Sequence, residues 1–320
     1  MHIPKSSKIV YLDQNAWIEL SRFREGQKSS CDEKLFKTVM QASNSGTVFF
    51  PISLIHLSEI MNTEKAEWRK ELLSLMLEVS HYYTFTPYWD KLRELEIKNL
   101  VLKELGRPLI DVRSYLVGRG FSNLMGATPT VKSEKISPEM LKELNQKLLL
   151  ALNDPEIFLE HTQKIYRDHK SEDIIAIQEF ERIREELSQF KDYQDRRKIF
   201  LWRNIIATIL PKLYTSLVEL NAPLSLSEKI FGNYDVDEFL SKLPTALCEF
   251  TLLFQRDEQP SRPIQINDSY DIWHLTLAIP YCDVVVTEEK MWTTIAKNAK
   301  LDKICNTVIL SSIHDLRNYL

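Results

Sequence analysis

Short, uniformly apolar runs alternate with amphipathic stretches near both ends of the chain, whereas the middle is amphipathic almost throughout. Ile9-Val-Tyr-Leu-Asp13 is a β-rich run ending in a carboxylate, and a helix-like stretch follows from Gln14 to Phe23. Another helical stretch, around Lys34 to Ala42, leads to a second strand candidate, Thr47-Val-Phe-Phe-Pro-Ile-Ser53. That run feeds Leu54 to Met61 and a longer helix from Trp68 to Val79. The grammar returns at the other end. Asp271 to Ile279 reads as a helix opened by Asp271, Asp283-Val-Val-Val-Thr287 as a buried strand, and Glu288 to Ala299 as a helix. Thr307-Val-Ile-Leu310 is a last strand and Ile313 to Leu320 a closing helix. Strands apolar at every position suit a parallel sheet covered by helices on both faces.

Between Thr86 and Cys248 strand signals are nearly absent. Ser137-Pro138-Glu139 is a helix start, with Ser as cap and Pro at the first position, and opens an amphipathic run from Met140 to Leu152. Ser171 to Phe190 and Asp195 to Leu217 are further runs at helical spacing. Four of the seven glycines fall between Leu105 and Lys135, which predicts loop there. The expected organisation is α/β: a discontinuous domain, residues 1–85 and 249–320, interrupted by an all-α insertion, 86–248.

Composition narrows the classes. Hydrophobic residues make up 44% and charged residues 27% of 320, as in a soluble globular protein. The net charge of −4 means that any nucleic-acid contact runs through a local patch. Cys31, Cys248, Cys282 and Cys305 form no C-x-x-C pair, which argues against a zinc cluster or a small disulfide scaffold. With an N-terminal apolar run too short for a signal peptide and no membrane span, the sequence predicts a cytoplasmic protein.

The candidate chemistry is acidic. Asp13 ends the first strand, Glu59 lies six residues after Ser53, Asp271 precedes the valine-rich strand, and Asp283 and Glu288-Glu289 flank it. Functional groups of open α/β sheets collect at the carboxyl ends of the strands. Clustered carboxylates repel one another unless a cation neutralises them, and a carboxylate set without Cys or His ligands points to Mg²⁺ or Mn²⁺ rather than Zn²⁺. Each acid also has a structural reading. Asp13 caps the following helix, Glu59 is a surface residue, Asp271 belongs to a capping box with Asp268, and one of Glu288 and Glu289 serves the helix dipole.

In order and context these motifs resemble those of PIN-domain nucleases. Asp13-Gln14-Asn15 after a strand is similar to their opening motif, and Ser53-x-x-His56-x-x-Glu59 to the second. Asp271 with Tyr281-Cys-Asp283-Val-Val-Val-Thr287-Glu-Glu289 is similar to the third and fourth. The likeness covers roughly residues 8–84 and 262–320. It implies a PIN-like α/β/α sandwich hydrolysing single-stranded RNA with one or two Mg²⁺ or Mn²⁺ ions. Asp13, Glu59, Asp271 and Glu289 (or Glu288) would then be ligands, with Asp283 a fifth acid. Asn15, Ser53, His56 and Thr287 would orient ligands or substrate. The family's last motif ends in Asp, where this chain has Glu288-Glu289.

Arg119, in Gly118-Arg-Gly-Phe121, and Arg196, Arg197 and Lys198 among Tyr193, Phe200 and Trp202 are candidate nucleic-acid contacts. A structural histidine is the alternative for His56 and His274, and a solvated helix face for the basic run. A haloacid-dehalogenase-type phosphatase also begins with an Asp after its first strand, but needs a second Asp two residues on, where Asn15 stands. The other readings are a non-catalytic PIN-like scaffold and a nuclease acting on DNA. An inhibitory or homo-oligomeric protein partner is compatible with each.

Overall fold

The computed structural model describes residues 3–4, 6–61, 65–87, 89–126, 130–133, 135–152, 154, 170–232, 235–259, 262–263, 265–287 and 290–320. The first half runs β1 (Lys8–Leu12), α1 (Gln14–Arg24), α2 (Glu33–Asn44), β2 (Val48–Phe49), α3 (Leu54–Met61), α4 (Ala66–Ser80), β3 (Tyr83–Phe85), α5 (Trp89–Glu104) and β4 (Val117–Arg119). β5 (Val284–Val286) and β6 (Val308–Leu310) follow toward the other end, where the closing helix expected from Ile313 is a 3-10 helix, Ile313–Asn318. The fold is mixed α/β and mostly helical, around a four-stranded parallel sheet of order β2-β1-β5-β6.

Side chains of successive strand residues point to opposite faces, and here each face meets its own core. Val10, Leu12, Val284, Val286 and Leu310 pack with Trp17, Leu20, Leu35, Val39, Leu57, Ile60 and the apolar face of α4. Ile9, Tyr11, Val285 and Ile309 pack on the other side with Leu92, Ile97, Phe250, Phe254, Ile272, Leu275 and Trp292. Helices therefore cover both faces, which is what the uninterrupted valine runs require.

The middle helices do not close around a core of their own. Leu92 and Val101 of α5, Leu213 and Leu217 of the Leu210–Glu219 helix, and Phe239 share the core of the sheet's second face. The expected boundary at 248/249 falls inside one helix, Pro244–Asp257. Two short strands lie where the sequence offered little. β3 lies beside Ile52 in parallel, and β4 pairs with β3 antiparallel, inside the stretch expected to loop. Gly118 is the reason a glycine-rich piece can be a strand there: a Cβ on it would sit 2.2 Å from Asn123 Oδ1, whose amide binds the Thr84 carbonyl at 2.9 Å.

The Asp195 to Leu217 run is broken by a π turn, Ile205–Ile209, just before Pro211. Proline has no N–H to give to the carbonyl four residues back, so the register shifts there. Among the described residues no helix is long and apolar enough to cross a membrane.

Candidate functional site

Parallel register aligns Leu12 with Val286, so Asp13 and Thr287 leave the sheet side by side at its carboxyl edge, and Ser53 follows the chain beyond β2, which pairs with β1 at Lys8–Val48 and Ile9–Phe49. The Asp13 N–H donates to the Val286 carbonyl at 2.9 Å, which fixes this alignment. Asp13 also caps α1: Oδ1 accepts from the Gln14 N–H at 2.7 Å, and its carbonyl accepts from Ala16 and Trp17. The capping reading is therefore realised, and the cap holds the carboxylate at the strand end.

Ser53 and His56 form a reciprocal cap at the start of α3. Ser53 Oγ accepts the His56 N–H at 3.2 Å, while His56 Nδ1 accepts the Ser53 N–H at 3.1 Å. This is the capping-box logic with an imidazole in the place of a Glu or Gln. Both residues are buried, and their two hydrogen bonds fix the start of α3. Glu59 follows His56 by three residues and so shares its helix face. Its Oε2 is buried with no hydrogen-bond partner among the described residues. Burial, and then the Asp271 carboxylate, push the Glu59 carboxyl up to about 8.

Asp271 comes from the third direction, the Ile266–Tyr281 helix. This helix starts five residues earlier than expected, with a capping box made by Gln265 and Asp268, so Asp271 lies in its second turn and is not its cap. Arg262 pairs with Asp268 at 2.5 Å. Trp292, on the Lys290–Asn298 helix, donates its indole N–H to Asp271 Oδ2 at 2.9 Å.

Beneath the acids lies a layer of rings that the sequence reading only half foresaw. The Tyr11 hydroxyl is hydrogen-bonded to His274 Nδ1. Tyr11 stacks on His56 with ring centroids 5.5 Å apart, His56 meets His274 edge-on at 4.9 Å, and Trp17 closes on His56 at 6.5 Å. Burial drops His56 to about 3 and holds His274 well below its ordinary value, so both imidazoles are neutral. With Tyr11 donating to Nδ1, His274 carries its proton on Nε2, toward Ser53 Oγ at 3.5 Å. Burial keeps the Tyr11 hydroxyl protonated, and Asp13, Glu59 and Asp271 add to that in turn. One phenol thus senses three carboxylates from three separate elements. The alternation along β1 could have revealed Tyr11, which shares a face with Asp13; nothing in the sequence marked Trp292.

Asp283 is not with them. It precedes β5 at the amino end, where its Oδ2 accepts the Ile9 N–H at 2.7 Å and Arg113 at 2.6 Å. Four residues of strand, about 13 Å, separate it from the level of Thr287. Its side chain is 39% exposed and paired with Arg113, at the end of the sheet opposite Asp13. Glu288 and Glu289 lie outside the described residues. Thr287 is buried, its hydroxyl 2.8 Å from that of Thr293. Asn15 is exposed at the first turn of α1. Among the described residues no three His, Cys, Asp or Glu side chains are grouped closely enough to hold a metal ion as they stand.

The basic candidates are also elsewhere. Arg119 is exposed at the end of β4, in the separate two-stranded β3–β4 sheet. Arg196 is held bidentately by Glu258, at 2.8 and 2.6 Å, and Arg197 pairs with Asp237. Phe200 is core, and Tyr193 packs edge-on against Phe254. The arginines of this run brace helices, leaving only Lys198 as an exposed cation of the three.

Comparison with family models, curated proteins and solved structures gives no match for this chain.

Proposed function

We propose that the chain is a PIN-like, metal-dependent endoribonuclease that hydrolyses phosphodiester bonds of single-stranded RNA at the carboxyl edge of its parallel sheet. The observation that carries the reading is Glu59: a partly buried carboxyl whose Oε2 has no partner among the described residues, and whose charge, with those of Asp13 and Asp271, acts on the Tyr11 hydroxyl. A buried oxygen with no partner among the described residues, and a carboxyl pushed up to about 8 by burial and then by Asp271, fit a cation site.

Asp13, Glu59 and Asp271 would hold Mg²⁺ or Mn²⁺, with Glu288 or Glu289 the candidate fourth acid. The ion's chemistry at such a site is to lower the pKa of a bound water and to offset charge on the phosphodiester. The chain's own part is orientation. The α1 cap and the β1–β5 hydrogen bond hold Asp13, the Trp292 indole holds Asp271, and the Ser53–His56 cap holds Glu59 through α3. The neutral Tyr11–His274 pair supplies a floor that brings no positive charge to compete with a cation. The four-stranded parallel sheet covered on both faces supports the PIN-like assignment, and RNA as substrate rests on the motif resemblance.

A second reading, a PIN-like scaffold that binds partners without catalysis, is favoured by one fact: the described acids do not close into a ready metal group. The test is cleavage of end-labelled single-stranded RNA and DNA with Mg²⁺, Mn²⁺ or EDTA, alongside Asp13→Asn. Metal-dependent cleavage lost in Asp13→Asn supports the nuclease, and the preferred strand separates RNA from DNA. No cleavage of either strand, together with no metal-induced rise in Tm, overturns it in favour of the scaffold.

A further inference from the structure

Outside the acidic edge the described residues bring two thiols together from far apart in sequence. Cys248, fully buried on the Pro244–Asp257 helix, and Cys305, partly exposed just after the short Leu301–Ile304 helix, have their Sγ atoms 3.8 Å apart, although 57 residues separate them. Cys31 and Cys282 are each buried without a thiol neighbour of this kind among the described residues.

We infer that Cys248 and Cys305 form an oxidation site, a dithiol that peroxide converts to an intrachain disulfide. The geometry is close to sufficient. A disulfide needs the sulfurs at about 2.05 Å, and Cys305, at the end of a four-residue helix, lies in the adaptable position of the two. The division of labour follows from exposure. Cys305 is the sulfur that solvent reaches, and its contact with Cys248 draws its pKa below the ordinary thiol value. Burial pushes the other thiols up: Cys248 and Cys282 well above their usual range, and Cys31 to about 12.

The chemistry is two displacements. The Cys305 thiolate attacks one oxygen of hydrogen peroxide, forming an S–O bond while the O–O bond breaks and hydroxide leaves, to be protonated to water. Cys248 sulfur then attacks the sulfenic sulfur of Cys305; the S–S bond forms, the S–O bond breaks, and the departing hydroxide takes the Cys248 proton as a second water. Two electrons pass from the sulfur pair to one peroxide. The new bond would tie the Pro244–Asp257 helix, which packs along the helix carrying Asp271 and His274, to the segment entering β6. It depends in no way on the nuclease reading.

The experiment oxidises the reduced, full-length protein with a few equivalents of hydrogen peroxide, quenches with iodoacetamide, and maps unreduced peptides by mass spectrometry. The expected product is a single Cys248–Cys305 linked pair, 2 Da lighter than the dithiol and reversed by dithiothreitol, with Cys31 and Cys282 alkylated only after denaturation. Tm should rise by about 5 °C on oxidation, as closing a long loop implies. Cys305→Ser, a change at a partly exposed position, should fold normally and show neither the link nor the rise. Sulfinic acid on Cys305 with Cys248 still alkylatable, or disulfides only between molecules, would overturn the inference.

Discussion

Glu59→Gln isolates the electrostatics of the acidic edge, because glutamine keeps the side chain's shape and cannot ionise. In the folded chain burial and Asp271 raise the Glu59 carboxyl from 4.5 to about 8. The sign follows from linkage. A carboxyl raised on folding contributes stability that is complete below about pH 4.5, declines as the unfolded chain ionises, and is lost above about pH 8. At roughly 1.4 kcal/mol per pH unit the loss across that window is on the order of 5 kcal/mol. For a 320-residue chain this corresponds to about 7 °C in Tm. The assay is thermal unfolding of both proteins from pH 5 to pH 9 in EDTA, taken as a difference so that titrations common to both cancel. The wild type should lose about 7 °C relative to Glu59→Gln. A divalent cation favours the ionised form, so at pH 8 Mn²⁺ at a hundred times its dissociation constant should restore about 4 °C to the wild type. The variant, lacking one ligand, should respond less. Parallel Tm profiles for the two proteins, or equal Mn²⁺ shifts, would refute the account of Glu59 as an orphaned ligand.

Other substitutions discriminate between neighbouring readings. Asp283→Asn should leave metal-dependent cleavage within about twofold and lower stability by about 1–2 kcal/mol, since it weakens charge-assisted bonds to Ile9 and Arg113 at the far end of the sheet; cleavage assays and urea unfolding check both parts. The double change Arg196→Ala and Arg197→Ala should not alter the salt dependence of RNA binding, because both guanidinium groups are committed to Glu258 and Asp237; a slope reduced by about 2 would mean that they reach phosphates. Tyr11→Phe should destabilise by about 1–3 kcal/mol by stripping the buried His274 Nδ1 of its partner, measured by chemical unfolding, since Ser53 faces the other ring nitrogen, Nε2.

The strands of the sheet were legible because burial on both faces leaves no room for polar residues: Val284-Val-Val286 and Ile9 to Leu12 could be read directly. β4 was not, since Val117-Gly-Arg119 is too short to display a period, and its place depends on Asn123 crossing over a bare glycine. Among its described residues the middle segment is mostly helical with β4 inside it, but a pattern gives the apolar face of a helix and not its partner. Nothing in Leu213 or Phe239 announces that they cover the same sheet face as Ile9. The start of the Asp271 helix was missed for a related reason, as Gln265 is an uncommon cap beside the more obvious Asp268.

At the acidic edge the structural and functional readings turned out not to compete. Asp13 is a helix cap, and that cap fixes a carboxylate where β1 ends. Ser53 and His56 are a capping box, and one turn later the helix they aim delivers Glu59. The error over Asp283 came from reading strand flanks as equivalent. In a parallel sheet an acid that follows one strand and an acid that precedes its neighbour lie at opposite ends, so parallel pairing, itself expected from the valine runs, already excluded Asp283 from the company of Asp13. The same rule separates what remains: Asp13 and Thr287 each follow a strand at the carboxyl edge, and there the charges of Asp13, Glu59 and Asp271, from three elements, all act on the buried Tyr11 hydroxyl.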